Sequence, residues 1–174
     1  ARPLRVLTYN IHHSEGRDGA FDLQRIAGVI NAANPDLVAL QELDRGTLRS
    51  GPDVFQLDEL AELTGMTGYF GKTINYRGGE YGNGVLIGTE FSVVQRLNHA
   101  LPNPASGEPR RVMELRLEYA EGETNARFDF FATHLDHSSA DNRRAQVEFV
   151  NALVSASQTP AVLAGDLKVV SVKM

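Results

Sequence analysis

The sequence predicts an α+β layered fold in which helices cover the faces of sheets. Several short apolar, β-prone runs end in polar side chains, at Leu4–His12, Leu37–Leu43, Arg127–Leu135 and Ala161–Ala164. Three other segments carry apolar residues at helical spacing, and the middle of the chain breaks into short strands separated by turn residues. At 174 residues the chain fits one domain, 1–174, with a sizeable core. No internal repeat or low-complexity segment is visible.

Leu4–His12 is apolar on both alternating faces until Asn10, which predicts a strand covered on both sides. Ser14–Gly19 reads as a polar loop. Asp22 is placed to cap a helix carrying Leu23, Ile26, Ala27, Ile30 and Ala33, which Asn34-Pro35 ends. Leu37–Leu43 is a second strand and delivers Gln41 and Glu42. The Gly-, Ser- and Pro-containing loop Arg45–Asp53 leads to a short helix with Phe55, Leu57, Leu60 and Ala61, stopped by Gly65. Strands are then expected at Tyr69–Tyr76, Gly84–Gly88, Ser92–Leu97 and Val112–Tyr119. Arg77-Gly78-Gly79, Pro102–Pro109 and Glu121-Gly122 separate them. The strand Arg127–Leu135 is followed by a helix with Ala145, Phe149, Val150, Leu153 and Val154 on one face. Ala161–Ala164 then leads into Gly165-Asp166, and the tail Lys168–Met174 is β-prone.

Apolar content of 42% and charged content of 22% are ordinary for a globular protein. No apolar run reaches the ~18 residues of a membrane span. The net charge of −5 argues against a non-specific polyanion binder, whose surface would carry a basic stripe. A bound metal would reverse the charge locally, so a phosphate-ester substrate stays open, whether a small molecule, a lipid headgroup or a nucleic acid. The absence of cysteine removes disulfides, thiolate zinc sites and a cysteine nucleophile. It leaves the compartment open between secreted, periplasmic and cytoplasmic. A chain opening on Ala1 rather than Met is expected to have lost a secretory signal or a tag.

Asn10, Glu42, His134 with Asp136, and Asp166 each follow an apolar strand. Singly, each reads as turn chemistry. If their strands lie side by side, the ends converge on one crevice, where open sheets tend to place their chemistry. The set is oxygen-rich, with an amide and a carboxylate on the first two strands. That suits Mg²⁺ or Mn²⁺ at Asn10 and Glu42 better than zinc. Asp166 is placed to orient or deprotonate a water, and His134 to donate to a phosphoryl oxygen.

Five blocks stand in order along the chain: Thr8-Tyr9-Asn10-Ile11-His12, Gln41-Glu42-Leu43-Asp44, Tyr81-Gly82-Asn83-Gly84-Val85-Leu86-Ile87, Thr133-His134-Leu135-Asp136-His137 and Gly165-Asp166. In this the sequence resembles the endonuclease/exonuclease/phosphatase superfamily of magnesium-dependent phosphoesterases. The resemblance implies a four-layered α/β/β/α sandwich with its site at one rim of two sheets. It implies metal binding by Asn10 and Glu42, and catalytic roles for Asp166 and His134. Asn83 and Arg110 would line a phosphate pocket, with His12, His13 and Asp136 on its rim. His12 and His13 read equally as surface loop residues, Arg110-Arg111 as a solvated pair, and Asp44 as a capping residue. The implied reaction is hydrolysis of a phosphodiester or phosphomonoester by in-line attack of water.

Two departures qualify the resemblance. After Gly165-Asp166 the family pattern has a hydrophobic residue and then Asn, and here that position is Lys168, a donor-only cation that could still contact phosphate. The family also continues into further strands and a closing Asp-His pair, so this chain is expected to be truncated at its C-terminus with impaired activity. Missing strands would expose sheet edges and favour homo-oligomers. Two other readings remain: an inactive fragment with a structural or binding role, and a zinc hydrolase of the metallo-β-lactamase kind. The latter reads Thr133–His137 as part of His-x-His-x-Asp-His, although its first histidine falls on Ala132.

Overall fold

The structure, a computed structural model, describes residues 3–121 and 124–168. Eight strands and three α-helices follow one another in these residues. They are β1 (Val6–Asn10), α1 (Leu23–Ala33), β2 (Leu37–Arg45), α2 (Gln56–Thr64), β3 (Thr67–Tyr76), β4 (Gly79–Ile87), β5 (Phe91–Ala100), β6 (Arg111–Glu121), β7 (Thr124–His134), α3 (Ala140–Ser155) and β8 (Ala161–Asp166). They form two four-stranded sheets, ordered β1-β2-β4-β3 and β5-β6-β7-β8.

Local chemistry sets the helix ends. The Asp22 carboxylate accepts from Arg25 N at the start of α1, and Asn34 closes that helix in the left-handed conformation. Gly65 does the same for α2. Ser139 caps α3 by accepting from Asn142 N at 3.2 Å.

Alternation along the strands divides the core into layers. In β2, Leu37 and Ala39 point between the sheets, where they meet Val85, Ile87, Met113, Leu115, Leu117, Phe130 and Ala132. Val38 and Leu40 point the other way, onto Ile26, Ala27 and Ile30 of α1 and Leu57 and Leu60 of α2. Phe131, next to Phe130, lies under Val150 and Phe149 of α3 together with Val112 and Leu135. The layering is therefore α/β/β/α. Truncating one of these fully buried leucines to alanine costs about 2–5 kcal/mol.

The two sheets share a plan that the sequence does not display as a repeat. Each has a parallel pair joined by a helix, β1 and β2 through α1, and β7 and β8 through α3, with two antiparallel strands completing the sheet. The far edges are held together by side chains. Arg96 donates to the Phe70 carbonyl at 2.6 Å, and Asn98 to the Lys72 carbonyl at 2.9 Å.

Two strands differ from expectation. Among the described residues β1 is an edge strand with one neighbour and is only partly covered, with Val6 38% exposed. β4 starts at Gly79 rather than Gly84, because Arg77 and Gly78, both at positive φ, make a two-residue hairpin turn. Gly82 hides the strand character of this segment, since a Cβ there would collide with the Gly71 carbonyl across the pair. The expected turn at Gly122 and the tail beyond Lys168 lie outside the described residues.

Candidate active site

The parallel pairs β1/β2 and β7/β8 bring their C-terminal ends to one place. Asn10 is the last residue of β1, His134 of β7 and Asp166 of β8, and His134 and Asp166 are paired in register. Gly165 allows this closeness: its φ is +151°, and a Cβ would run into the Thr133 backbone.

Glu42 reaches the same place by a different device. Period-2 alternation from Val38 and Leu40 would send it into the helix layer. A β-bulge interrupts the pairing instead: Leu40 faces Gly84 and Leu43 faces Gly82, so Gln41 and Glu42 share the single partner position Asn83. Glu42 takes φ +61°, a left-handed conformation uncommon for a side chain of this kind. Leu43 then resumes the helix-facing layer.

The side chains meet. Asn10 Nδ2 donates to Glu42 Oε1 at 2.7 Å and to Asp166 Oδ2 at 3.1 Å, while Asn10 Oδ1 accepts from His12 N at 3.0 Å. Lys168 places Nζ 2.6 Å from Asp166 Oδ2, and its backbone N–H donates to Oδ1. Burial would raise the Asp166 pKa, but the hydrogen bonds from Lys168 and Asn10 and the nearby positive charge hold it below the usual carboxylate value.

His134 is buried beside this cluster. A guanidinium can only donate, so the 3.3 Å contact from Arg110 to Nδ1 leaves the imidazole proton on Nε2. Among the described residues that Nε2 has no hydrogen-bond partner, and it lies 3.7 Å from Asp166 Oδ2. Burial, reinforced by Arg110, pulls the His134 pKa down to about 4 against the opposing pull of Asp166 and Glu42. The ring is a neutral donor at ordinary pH.

Arg110 is no solvated residue. It is 5% exposed and also donates to His137 Nδ1 at 3.2 Å and pairs with Glu108 at 3.0 Å. Asn83 is buried on β4 opposite the bulge, on the inter-sheet face that continues to Val85 and Ile87. Asp136 is not brought into the cluster. Its buried carboxylate accepts from Ser138 and Ser139 backbone N–H groups, the Ser138 hydroxyl and the Asn142 amide, so it organises the turn before α3. Asp44 plays a similar part for the β2–α2 loop, accepting from Thr47, Ser50 and both nitrogens of an Arg49 fork. His12 sits on the exposed side of a 3-10 turn over His12–Ser14.

Sequence alone does not mark Tyr81 as a candidate. Burial and the charges of Glu42 and Glu108 raise its pKa, while the positive charge of Arg110 opposes them, so its hydroxyl belongs to this neighbourhood. The signal was its two-residue spacing from Asn83, which puts both on one strand face. The zinc reading of Thr133–His137 finds no support: His134 and His137 both turn Nδ1 to Arg110, and Asp136 is taken up by its own loop.

Two carboxylates, an amide and a neutral histidine thus gather at one rim of a two-sheet α/β/β/α sandwich, three of them at strand ends and Glu42 at the β2 bulge. The family model for the endonuclease/exonuclease/phosphatase family matches residues 7–167, and the chain belongs to that family. Among solved structures, it is similar to an endonuclease/exonuclease/phosphatase from Beutenbergia cavernae, with 28% identity and a TM-score of 0.77, covering 98% of this chain and 49% of that one. The mannosyl-6-phosphatase of Bacteroides thetaiotaomicron is 23% identical with a TM-score of 0.71, covering 96% and 66%. The human Nocturnin catalytic domain is 21% identical with a TM-score of 0.68, covering 96% and 64%. These last two show likeness of fold alone. The chain thus spans about half to two thirds of the length of these relatives. No curated protein matches it in sequence.

Proposed function

We propose that this chain carries the centre of a divalent-metal-dependent phosphoesterase that hydrolyses a phosphodiester or phosphomonoester by attack of water at phosphorus. The observation that carries the reading is the single Asn10 amide holding Glu42 and Asp166 together beneath the unpartnered Nε2–H of His134. The donor set is oxygen-based and anionic, which fits Mg²⁺ or Mn²⁺ bound through Glu42 and Asn10. When bound, such an ion would neutralise charge developing on the phosphoryl oxygens.

The protein groups supply the rest. Asp166 stays ionised and is placed to orient a water and accept its proton. His134 donates from Nε2 to a phosphoryl or leaving oxygen, a contact that strengthens as charge develops there. Arg110 fixes the imidazole in that tautomer. Asn83, with Tyr81 beside it, lines the inter-sheet side of the substrate phosphate. One contact favours slow turnover in the chain as it stands: the Lys168 ammonium occupies the Asp166 oxygen that would face the water.

Hydrolysis of an aryl phosphodiester and an aryl phosphomonoester, with Mg²⁺ or Mn²⁺ added to the metal-free protein, tests the reading. Metal-dependent release of the phenol that disappears in Glu42→Gln is expected. Equal rates in Glu42→Gln and wild type would rule the reading out.

A further inference from the structure

Directly after Asn10 the backbone does something costly. His12, His13 and Ser14 all take positive φ, at 48°, 42° and 65°, in three successive residues that are not glycine. Each such residue is strained, and runs of them persist only where the surroundings enforce them. The enforcement is visible. Gln56, buried on α2, donates to the His13 carbonyl at 2.7 Å and to Ser14 Oγ at 3.1 Å, and His12 N is held by Asn10 Oδ1.

What the turn achieves is a convergence of side chains. The His12 and His13 rings lie 4.3 Å apart, and His13 Nε2 is 3.0 Å from Glu15 Oε2. One ligand atom from each of His12, His13 and Glu15 falls within 4.8 Å of the others. His13 is 5% exposed, and among the described residues its Nδ1 is a buried polar atom without a hydrogen-bond partner. None of these three side chains is needed by the reaction proposed above.

We propose that His12, His13 and Glu15 form a second metal site, distinct from the oxygen-rich cluster and selective for Zn²⁺ or a similar divalent transition metal. Two imidazoles and one carboxylate are the ligands of a borderline cation, whereas Mg²⁺ prefers oxygen alone. Three protein ligands leave a tetrahedral zinc one open position, for water or for an anionic group of a substrate. The His12 backbone N–H bonded to Asn10 Oδ1 ties the turn that carries this site to the neighbouring centre. Binding would also offset the cost of the left-handed turn and raise the thermal midpoint of the chain.

The test uses Zn²⁺ alone and needs no substrate. The full chain is stripped of metal, titrated with Zn²⁺ and desalted, and retained zinc is measured for wild type, Glu42→Gln, His12→Ala and Glu15→Gln. His12 is exposed, so His12→Ala should stay folded, and circular dichroism verifies this. One retained zinc is expected in wild type and in Glu42→Gln, with affinity at least about tenfold weaker in His12→Ala and Glu15→Gln. Visible absorption bands of the Co²⁺-loaded chain should disappear in the same two variants. No retained zinc in wild type, or affinity lost in Glu42→Gln but kept in His12→Ala, would overturn the proposal. Because Glu42→Gln disables the oxygen-rich cluster, failure of this site and failure of the phosphoesterase reading are read separately.

Discussion

Asn10 and Asp166, 156 residues apart in sequence, are joined by a 3.1 Å hydrogen bond that links the ends of the two sheets. The same amide nitrogen holds Glu42. Asn10→Ala would release two carboxylates from their shared donor and remove an oxygen ligand. A fall in metal-dependent turnover of about 100-fold or more is expected, with stability lowered by only about 1–2 kcal/mol. Initial rates and urea unfolding of the same preparation check both parts.

Glu42 owes its position to the left-handed bulge. Glycine tolerates that conformation and alanine does not, so Glu42→Gly should be more stable than Glu42→Ala by about 1 kcal/mol, although both lose activity. At an ordinary strand position glycine would instead be the weaker choice. Denaturant midpoints of the two variants decide which holds.

The contrast between Glu42 and Asp166 shows what sequence can and cannot carry. Asp166 ends a plain apolar strand, and its place at a strand end is legible from Ala161–Ala164 and the following Gly-Asp. Glu42 is flanked by Gln41 and Leu43, and alternation alone assigns it to the helix face; only the pairing of β2 with β4 reveals the bulge. The helices are legible because their signals, the Asp22 cap, the Gly65 stop and the apolar face of α3, are local. The first half of β4 is not legible because Gly82 and Asn83 are poor strand formers, Gly82 sitting where a Cβ would meet the Gly71 carbonyl. The role of Asp136 in its loop was not legible, since a strand-end carboxylate looks the same in sequence whether it faces a crevice or a turn. The His12–Ser14 turn was likewise hidden, because nothing about the residue types announces three left-handed residues.

His134 gives a pH dependence with a definite sign. Its folded pKa, about 4, lies below the ordinary 6.5. Between these values the unfolded chain takes up a proton that the folded chain refuses, so this contribution is intact above about pH 6.5 and lost as pH falls toward 4. The loss is on the order of 1–3 kcal/mol across the window. Denaturant unfolding of wild type at several pH values in that window should show this slope, and His134→Gln should lack it.

Asp129 is fully buried, held by both nitrogens of an Arg116 fork and by the Ser157 hydroxyl, and its pKa is lowered chiefly by Arg116. Its folded value lies below the unfolded one, so its contribution is present above about pH 4 and disappears as pH falls through the folded pKa. Asp129→Asn should destabilise by roughly 1–3 kcal/mol at pH 7, since Arg116 keeps partial access to water. The difference from wild type should shrink in acid. Thermal unfolding at pH 7 and pH 3 compares the two.

Lys168 holds the Asp166 oxygen nearest the reacting water in the proposed mechanism. Replacing it with a side chain that can both donate and accept should free that oxygen, and Lys168→Asn is expected to raise kcat several-fold without altering the thermal midpoint appreciably. Unchanged or lower kcat would assign the lysine a supporting role.

The most direct measurement is Mn²⁺ binding followed by electron paramagnetic resonance, with wild type, Glu42→Gln and Asn10→Ala compared and Mg²⁺ used as competitor. One Mn²⁺ displaced by Mg²⁺ in wild type, and bound at least about tenfold more weakly in both variants, is the expected result. Affinity unchanged in both variants would contradict a metal centre built on Asn10 and Glu42.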